Sequence, residues 1–297
     1  MCGIYFEKLT KSQIDLKKKK IFIREHIHNR GPDNFLFKLI NSRTILSNSI
    51  LSITGETNKK KELFSTQNKR YLISFNGQIY NYLELAKKYK IKNLSNCDTE
   101  VLVKLHEILN PYEVSKMLDG MFSYILYDNK KNKAYIVNDP SGEKRLFYTK
   151  NKDGLFISSN PNVILNNKEL KPKINYKVLS NYLKTRHLIQ YTETIYENIK
   201  LFEPGKIYEI NLNTLKFKSK YFDNPLAWID ATKYYNFQKQ KENEVYTSIL
   251  NKFKETIQKL LPKNKIFGAA FSGGIDSSII GSCIQNFQNF DYEIYLD

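Results

Sequence analysis

Cysteine is scarce in this chain, with three in 297 residues: Cys2, Cys97 and Cys283. Thiols so few and so far apart build no disulfide framework, and no CxxC pair offers a zinc site. A reducing, cytoplasmic setting is expected. Long apolar runs are missing as well. Nothing approaches the ~18 residues of a membrane-spanning helix, and the N-terminus carries no signal-peptide apolar core. Acidic residues are in deficit, 30 against 47 lysines and arginines, for a net charge of +17. Such an excess invites a nucleic-acid reading. Here it is mostly lysine scattered along the chain, and its one dense run, Lys17 to Lys20, falls in a helical segment and reads as a solvated face. Neither a nucleic-acid nor a membrane partner is expected.

What the chain does have is apolar and aromatic mass: 41% hydrophobic residues, with 21 Tyr and 18 Phe. That composition belongs to a folded protein, and the length gives room for two cores.

The first four residues, Met1-Cys2-Gly3-Ile4, carry the most chemistry. Removal of Met1, expected before a small second residue, would leave Cys2 as the N-terminus, with a thiol and a free α-amine on one residue. The amine titrates near ~7.7–8.0 and can take the thiol proton, so nucleophile and base need no histidine. Gly3 lets the backbone approach a substrate closely.

Gly3 to Glu7 reads as a buried strand, and Ser12 as the cap of a helix running to about His28. The polar turn Asn29-Arg30-Gly31-Pro32-Asp33 breaks that helix. Strand-like runs follow at 35–40 and 44–53, and the lysine-rich stretch 58–62 reads as a surface loop. Another strand, 70–75, ends at Asn76-Gly77-Gln78, with a helix from about Asn81. Asn-Gly at a strand end can be a hairpin turn, or an amide and a backbone N–H that stabilise an oxyanion. Asp98 opens the helix 101–109 and reads by itself as an N-cap.

Further along, 121–127 and 134–139 make a hairpin around Asp128-Asn129-Lys130, and 146–149 pairs with 155–158. Two groups of strands with helices between them predict an α+β fold of stacked sheets with helices outside. A helix at 176–184 and strands at 207–212 and 216–221 follow. Residues 223–241 have weak periodicity and read as a connection, and 242–261 is an amphipathic helix. The apolar run 265–271 then meets Ser272-Gly273-Gly274-Ile275-Asp276-Ser277-Ser278, a helix at 279–288 and a strand start at 293–296. Strand, Ser/Gly-rich turn and helix together suit a phosphate, although no G-K-[ST] follows the glycines.

Taken in order, these residues resemble the glutamine-hydrolysing asparagine synthetases. The matching elements are Met1-Cys2-Gly3-Ile4, Arg30-Gly31-Pro32-Asp33, Leu51-Ser52-Ile53, Asn76-Gly77, Ile79-Tyr80-Asn81, Asp98 with Glu100, Asp119-Gly120-Met121-Phe122, and Ser272-Gly273-Gly274 with Asp276-Ser277. The resemblance implies an N-terminal αββα sandwich of the N-terminal-nucleophile hydrolase type over 1–200. A connecting segment spans 201–241, and 242–297 is the start of a truncated α/β, parallel-sheet PP-loop synthetase domain.

It also implies roles. Cys2 attacks the glutamine carboxamide, and Asn76 and Gly77 stabilise the oxyanion. Ile50, Ser52, Ile53, Thr54 and Gln78 line the glutamine pocket, and Asp98 holds the α-ammonium. Phe271, Ser272, Gly273, Gly274, Asp276 and Ser277 hold ATP, with Mg²⁺ on its phosphates and no protein metal ligand assigned. Ammonia would pass to ATP-activated aspartate or another carboxylate acceptor. A separate chain completing the synthetase sheet, and a homodimer, are the implied assemblies.

Several positions depart from the family pattern. Where the family has an Arg for the glutamine α-carboxylate stands Ile50, and its Asn-Gly-Glu is Asn76-Gly77-Gln78. An aliphatic group cannot replace a bidentate guanidinium, so weaker use of free glutamine is expected. The family's Arg-Asp-x-x-Gly is Asn138-Asp139-Pro140-Ser141-Gly142, and its Ser-Glu-x-Lys is Ser158-Ser159-Asn160-Pro161. The chain ends within the second strand of the synthetase sheet, and so short a piece of parallel sheet cannot bury both of its faces alone. An amidotransferase with another acceptor, or a non-catalytic remnant, are the alternatives.

Overall fold

The structure, a computed structural model, describes residues 1–11, 14–53, 62–91, 96–167, 170–188, 190–261 and 268–285. The chain divides into two compact units, Met1–Leu226 and Ala227–Asp297.

The first unit opens with β1 (Gly3–Leu9), α1 (Leu16–Ile27), β2 (Asn34–Asn41), β3 (Thr44–Ile50), β4 (Phe64–Ser65) and β5 (Tyr71–Ile79). Three helices follow, α2 (Tyr82–Lys88), α3 (Asp98–Ile108) and α4 (Pro111–Met117). Then come β6 (Gly120–Asp128), β7 (Lys133–Asn138), β8 (Phe147–Lys150) and β9 (Gly154–Ser158). Helices α5 (Pro161–Leu165) and α6 (Tyr176–Thr185) precede β10 (Lys200–Leu201), β11 (Lys206–Asn211) and β12 (Phe217–Tyr221).

Among the described residues these strands form two six-stranded antiparallel sheets, ordered β10-β8-β9-β1-β3-β2 and β12-β11-β7-β6-β5-β4. Ile4, Phe6 and Leu46 of the first sheet pack with Ile125 and Ile136 of the second in one inner core. On the outer face of the first sheet, Ile23 and Ile27 of α1 and Val163 of α5 cover Tyr5 and Ile45. On the outer face of the second, Val101, Leu102 and Leu105 of α3 and Val114 of α4 cover Phe75, Phe122 and Tyr124. This is the expected αββα layering. Because both faces of each sheet are covered, strands such as β6 are buried at odd and even positions alike.

Local chemistry sets the helix ends. Asn110 and Glu113 form a capping box on α4 with Pro111 at its first turn. For α1 the cap is Asp15, which accepts from Lys18 N; Ser12 lies outside the described residues. The lysine run is not uniformly solvated, since Lys19 Nζ reaches the fully buried Glu7 carboxylate of β1 at 3.0 Å. A buried carboxylate needs such a partner.

Beyond residue 200, β11 and β12 belong to the second sheet, so the first unit extends to Leu226 instead of ending at 200. The expected connection also contains a helix, α7 (Ala231–Gln238), capped by Asp230. In the second unit follow α8 (Glu242–Leu260) and α9 (Ile275–Gln285), with α9 beginning four residues before the predicted 279. Residues 268–271 form no strand, and 265–267 and 293–296 lie outside the described residues. Among the described residues no helix is long and apolar enough to cross a membrane.

Candidate active site

Cys2 sits immediately before β1, held from several sides. Leu51 N–H donates to its Sγ at 3.4 Å, and the thiol donates to Leu51 O at 3.8 Å. Arg30 Nε donates to Cys2 O at 3.3 Å. A side chain on Gly3 would lie 2.8 Å from Ile27 O and 2.9 Å from Ile27 Cβ, so only glycine lets α1 end this close to Cys2.

The turn Arg30-Gly31-Pro32-Asp33 presents Leu51 to the thiol. Ser49 Oγ donates to Gly31 O at 2.8 Å, Asp33 N to Ile50 O at 3.1 Å, and Ser52 N to Asp33 Oδ2 at 2.7 Å. A Cβ on Gly31 would stand 2.5 Å from Ser49 O. Ser52 therefore serves the turn, and it is absent from the cavity wall.

Asn76 reaches Cys2 from the other sheet: Cys2 N donates to Asn76 Oδ1 at 2.9 Å. The Asn76 Nδ2 group is buried and has no hydrogen-bond partner among the described residues. Asn76 and Gly77 lie inside β5, not at a turn after it, which removes the hairpin reading. Gly77 has φ +150°, and a Cβ there would meet Met121 O at 2.1 Å.

Asn48 was not singled out from sequence. Its Nδ2 donates to Gly3 O and Phe75 O at 3.0 and 3.1 Å, and its Oδ1 accepts from Phe75 N at 3.0 Å. It thereby ties β1 to β5 and fixes the gap that Cys2 and Asn76 span. The available signal was an asparagine inside a strand that is otherwise read as core.

A cavity beside Cys2 is lined by Ile50, Ile53, Gly77, Gln78 and Asp98, together with Asn48, Leu51 and Thr99. Its volume is about 30 Å³. Ile50 is buried at the end of β3. Thr54 lies outside the described residues.

Asp98 is buried, and its carboxylate accepts from Ile79 N at 3.0 Å and Thr99 N at 2.7 Å. The N-cap of α3 is Cys97, so Asp98 is a first-turn residue rather than the cap. Burial pushes the Cys2 thiol above its ordinary range. Leu51 N–H and the N-terminal ammonium pull it down, Asp98 adds to the rise, and Arg30 opposes it.

In the second unit, Phe271 to Ser277 are largely exposed. Ser272 Oγ and Ser277 Oγ are 3.3 Å apart, and Ser277 Oγ donates to Gly274 O at 3.1 Å. Gly273 has φ +72°, with no atom of the described residues within 4 Å of where its Cβ would stand.

Two stacked sheets thus bring Cys2 and the Asn76 amide together across the gap between them. The profile of the glutamine amidotransferase domain family matches residues 1–222, and the chain belongs to that family. Curated relatives include a probable glutamine-hydrolysing asparagine synthetase of Schizosaccharomyces pombe, 30% identical over 95% of this chain and 44% of its own length. Asparagine synthetase 1 of Saccharomyces cerevisiae is 27% identical over 95% of this chain and 43% of its own. The chain thus spans less than half the length of these relatives. Among solved structures, the glutamine phosphoribosylpyrophosphate amidotransferase of B. subtilis covers 75% of this chain and 49% of its own, at 16% identity and a TM-score of 0.48.

Proposed function

We propose that the first unit hydrolyses glutamine with Cys2 as its nucleophile. With Met1 removed, the Cys2 α-amine takes the thiol proton and Sγ attacks the carboxamide carbon. The C–N bond breaks, ammonia leaves carrying that proton, and water hydrolyses the glutamyl thioester to glutamate. A base is needed because burial disfavours the free thiolate.

The observation that carries this reading is the contact between Cys2 and Asn76. One end of the amide is anchored on Cys2 N, and the other is a buried donor with nothing to bond. A donor preorganised beside a nucleophile stabilises charge that develops on the carbonyl oxygen in the transition state. Gly77 N–H would be the second donor. Asp98, on the cavity wall, would take the α-ammonium, while Gln78, Ile50 and Ile53 on the same wall would shape the pocket and Ser52 would hold the turn beside it. Ile50 leaves the α-carboxylate without the guanidinium that the resemblance places there.

The relatives named as glutamine-hydrolysing asparagine synthetases support passage of the ammonia to aspartate. On that reading ATP would lie at Ser272, Gly273, Gly274, Asp276 and Ser277, beside Phe271. The open space at Gly273, the neutral hydroxyls and the start of α9 suit phosphate oxygens. Mg²⁺ would accompany the phosphates. ATP would supply activation of the acceptor carboxylate.

The test is glutamate release from glutamine without ATP, by the unmodified chain and by Cys2→Ala. Release that disappears in Cys2→Ala supports the reading, and no release from a chain whose N-terminus is Cys2 contradicts it.

A further inference from the structure

Three polar side chains stand in a row on the inner face of the second sheet. Register sets Asn76 of β5 opposite Ser123 of β6, and Ser123 opposite Asn138 of β7, so all three project to the same side. That side is the gap between the sheets, because Ile125 and Ile136, on the same face, pack with Ile4 and Phe6. None of the three is more than 1% exposed. Each nevertheless carries a buried polar atom without a hydrogen-bond partner among the described residues: Asn76 Nδ2, Ser123 Oγ and Asn138 Oδ1.

Both ends of the row are pinned. Asn76 Oδ1 accepts from Cys2 N at 2.9 Å, and Asn138 Nδ2 donates to Phe202 O at 3.3 Å. An idle donor is left at one end and an idle acceptor at the other, with a hydroxyl between them that can do both. The sense of any chain through the row is therefore fixed. It runs from Asn76 N–H to Ser123 Oγ, and from Ser123 O–H to Asn138 Oδ1. Opposed Cβ atoms on neighbouring strands lie ~4.5–5.5 Å apart, and the direct bonds are not made. Ordered water is the usual partner of buried polar groups left this way, and it can donate and accept at once.

We propose that Ser123 and Asn138, joined through ordered water, form a one-way hydrogen-bond chain that holds the Asn76 amide in its oxyanion-facing orientation. The chain occupies one hydrogen of Nδ2 and leaves the other for the substrate oxygen. Ser123 and Asn138 are positioning residues, acting through Asn76. This rests on the glutaminase reading above.

The experiment compares Ser123→Ala, Asn138→Leu and the double variant in glutamine hydrolysis and in alkylation of Cys2 by iodoacetamide, a displacement at carbon that develops no oxyanion. Each single variant is expected to lose about tenfold in kcat, ~1.4 kcal/mol of barrier. KM and the alkylation rate stay within twofold, and the double variant is no slower than the slower single one. Unchanged kcat overturns the proposal. So does a loss matched by slower alkylation, which marks a displaced Cys2, or a multiplicative loss in the double variant. A high-resolution crystal structure of the unmodified protein should show water bonded to Ser123 Oγ and to Asn76 Nδ2 or Asn138 Oδ1. A dry row beside normal turnover overturns the chain alone. An unmodified protein that hydrolyses no glutamine overturns the glutaminase reading, and the catalytic role of the row with it.

Discussion

Cys2 N and Asn76 Oδ1 meet at 2.9 Å across the gap between two sheets, from positions 74 residues apart in sequence. The proposed nucleophile and the amide beside it thus come from different layers, and the packing of the sandwich itself sets their separation. Replacing Asn76 by alanine should lower kcat for glutamine hydrolysis about 10²–10³-fold with little change in KM, the range expected for one lost oxyanion donor. Steady-state kinetics with glutamate detection checks this.

Asp98 raises the Cys2 thiol pKa through its charge, and Arg30 lowers it. Asp98→Asn should therefore move the pH profile of Cys2 alkylation to lower pH, and Arg30→Gln should move it higher. Equal profiles in all three proteins would contradict the electrostatic picture of the site.

Gly31 and Gly77 are held by close backbone approach. A methyl at Gly31 would stand 2.5 Å from Ser49 O, and one at Gly77 2.1 Å from Met121 O with φ at +150°. Each alanine variant should lower Tm, by an overpacking cost of about 1–3 kcal/mol or more. Gly31→Ala should also disturb alkylation of Cys2, because the Gly31 turn seats Leu51 against the thiol. Thermal melts and alkylation rates test both.

His106 is buried between the rings of Tyr71 and Tyr124, and burial pushes its pKa down to about 3. The unfolded chain binds a proton there near pH ~6.5, whereas the folded chain does not until about pH 3. Stability from this residue is complete above the unfolded pKa. It is lost as pH falls, by about 1.4 kcal/mol per unit. His106→Leu should flatten urea-unfolding stability between pH 6 and 4 relative to the unmodified protein.

Much of this was legible from residue chemistry. The alternating strands around Asp128 and the layered α+β class follow from local patterns, whereas the grouping of Cys2, Asn76 and Asp98 rests on the family resemblance, since Asp98 by itself reads as an N-cap. What was hidden depends on register and packing. Asn48 bonds to β1 and β5, the Asp33–Ser52 bond spans a turn and a loop, and the Asn76–Ser123–Asn138 row exists only once three strands are aligned. Helix α7 buries none of its residues and so leaves no apolar stripe in the sequence. Lys19 looked like one member of a solvated run, yet its partner Glu7 lies in a strand read as core.

The central claim is that Cys2, freed as the N-terminus, carries the glutamyl group. Mass spectrometry of protein quenched in acid during turnover with glutamine tests it most directly. The account predicts a chain lacking Met1, with a glutamyl adduct that maps to Cys2 and is absent from Cys2→Ala. Turnover by a chain that retains Met1, or equal turnover in Cys2→Ala, would contradict it.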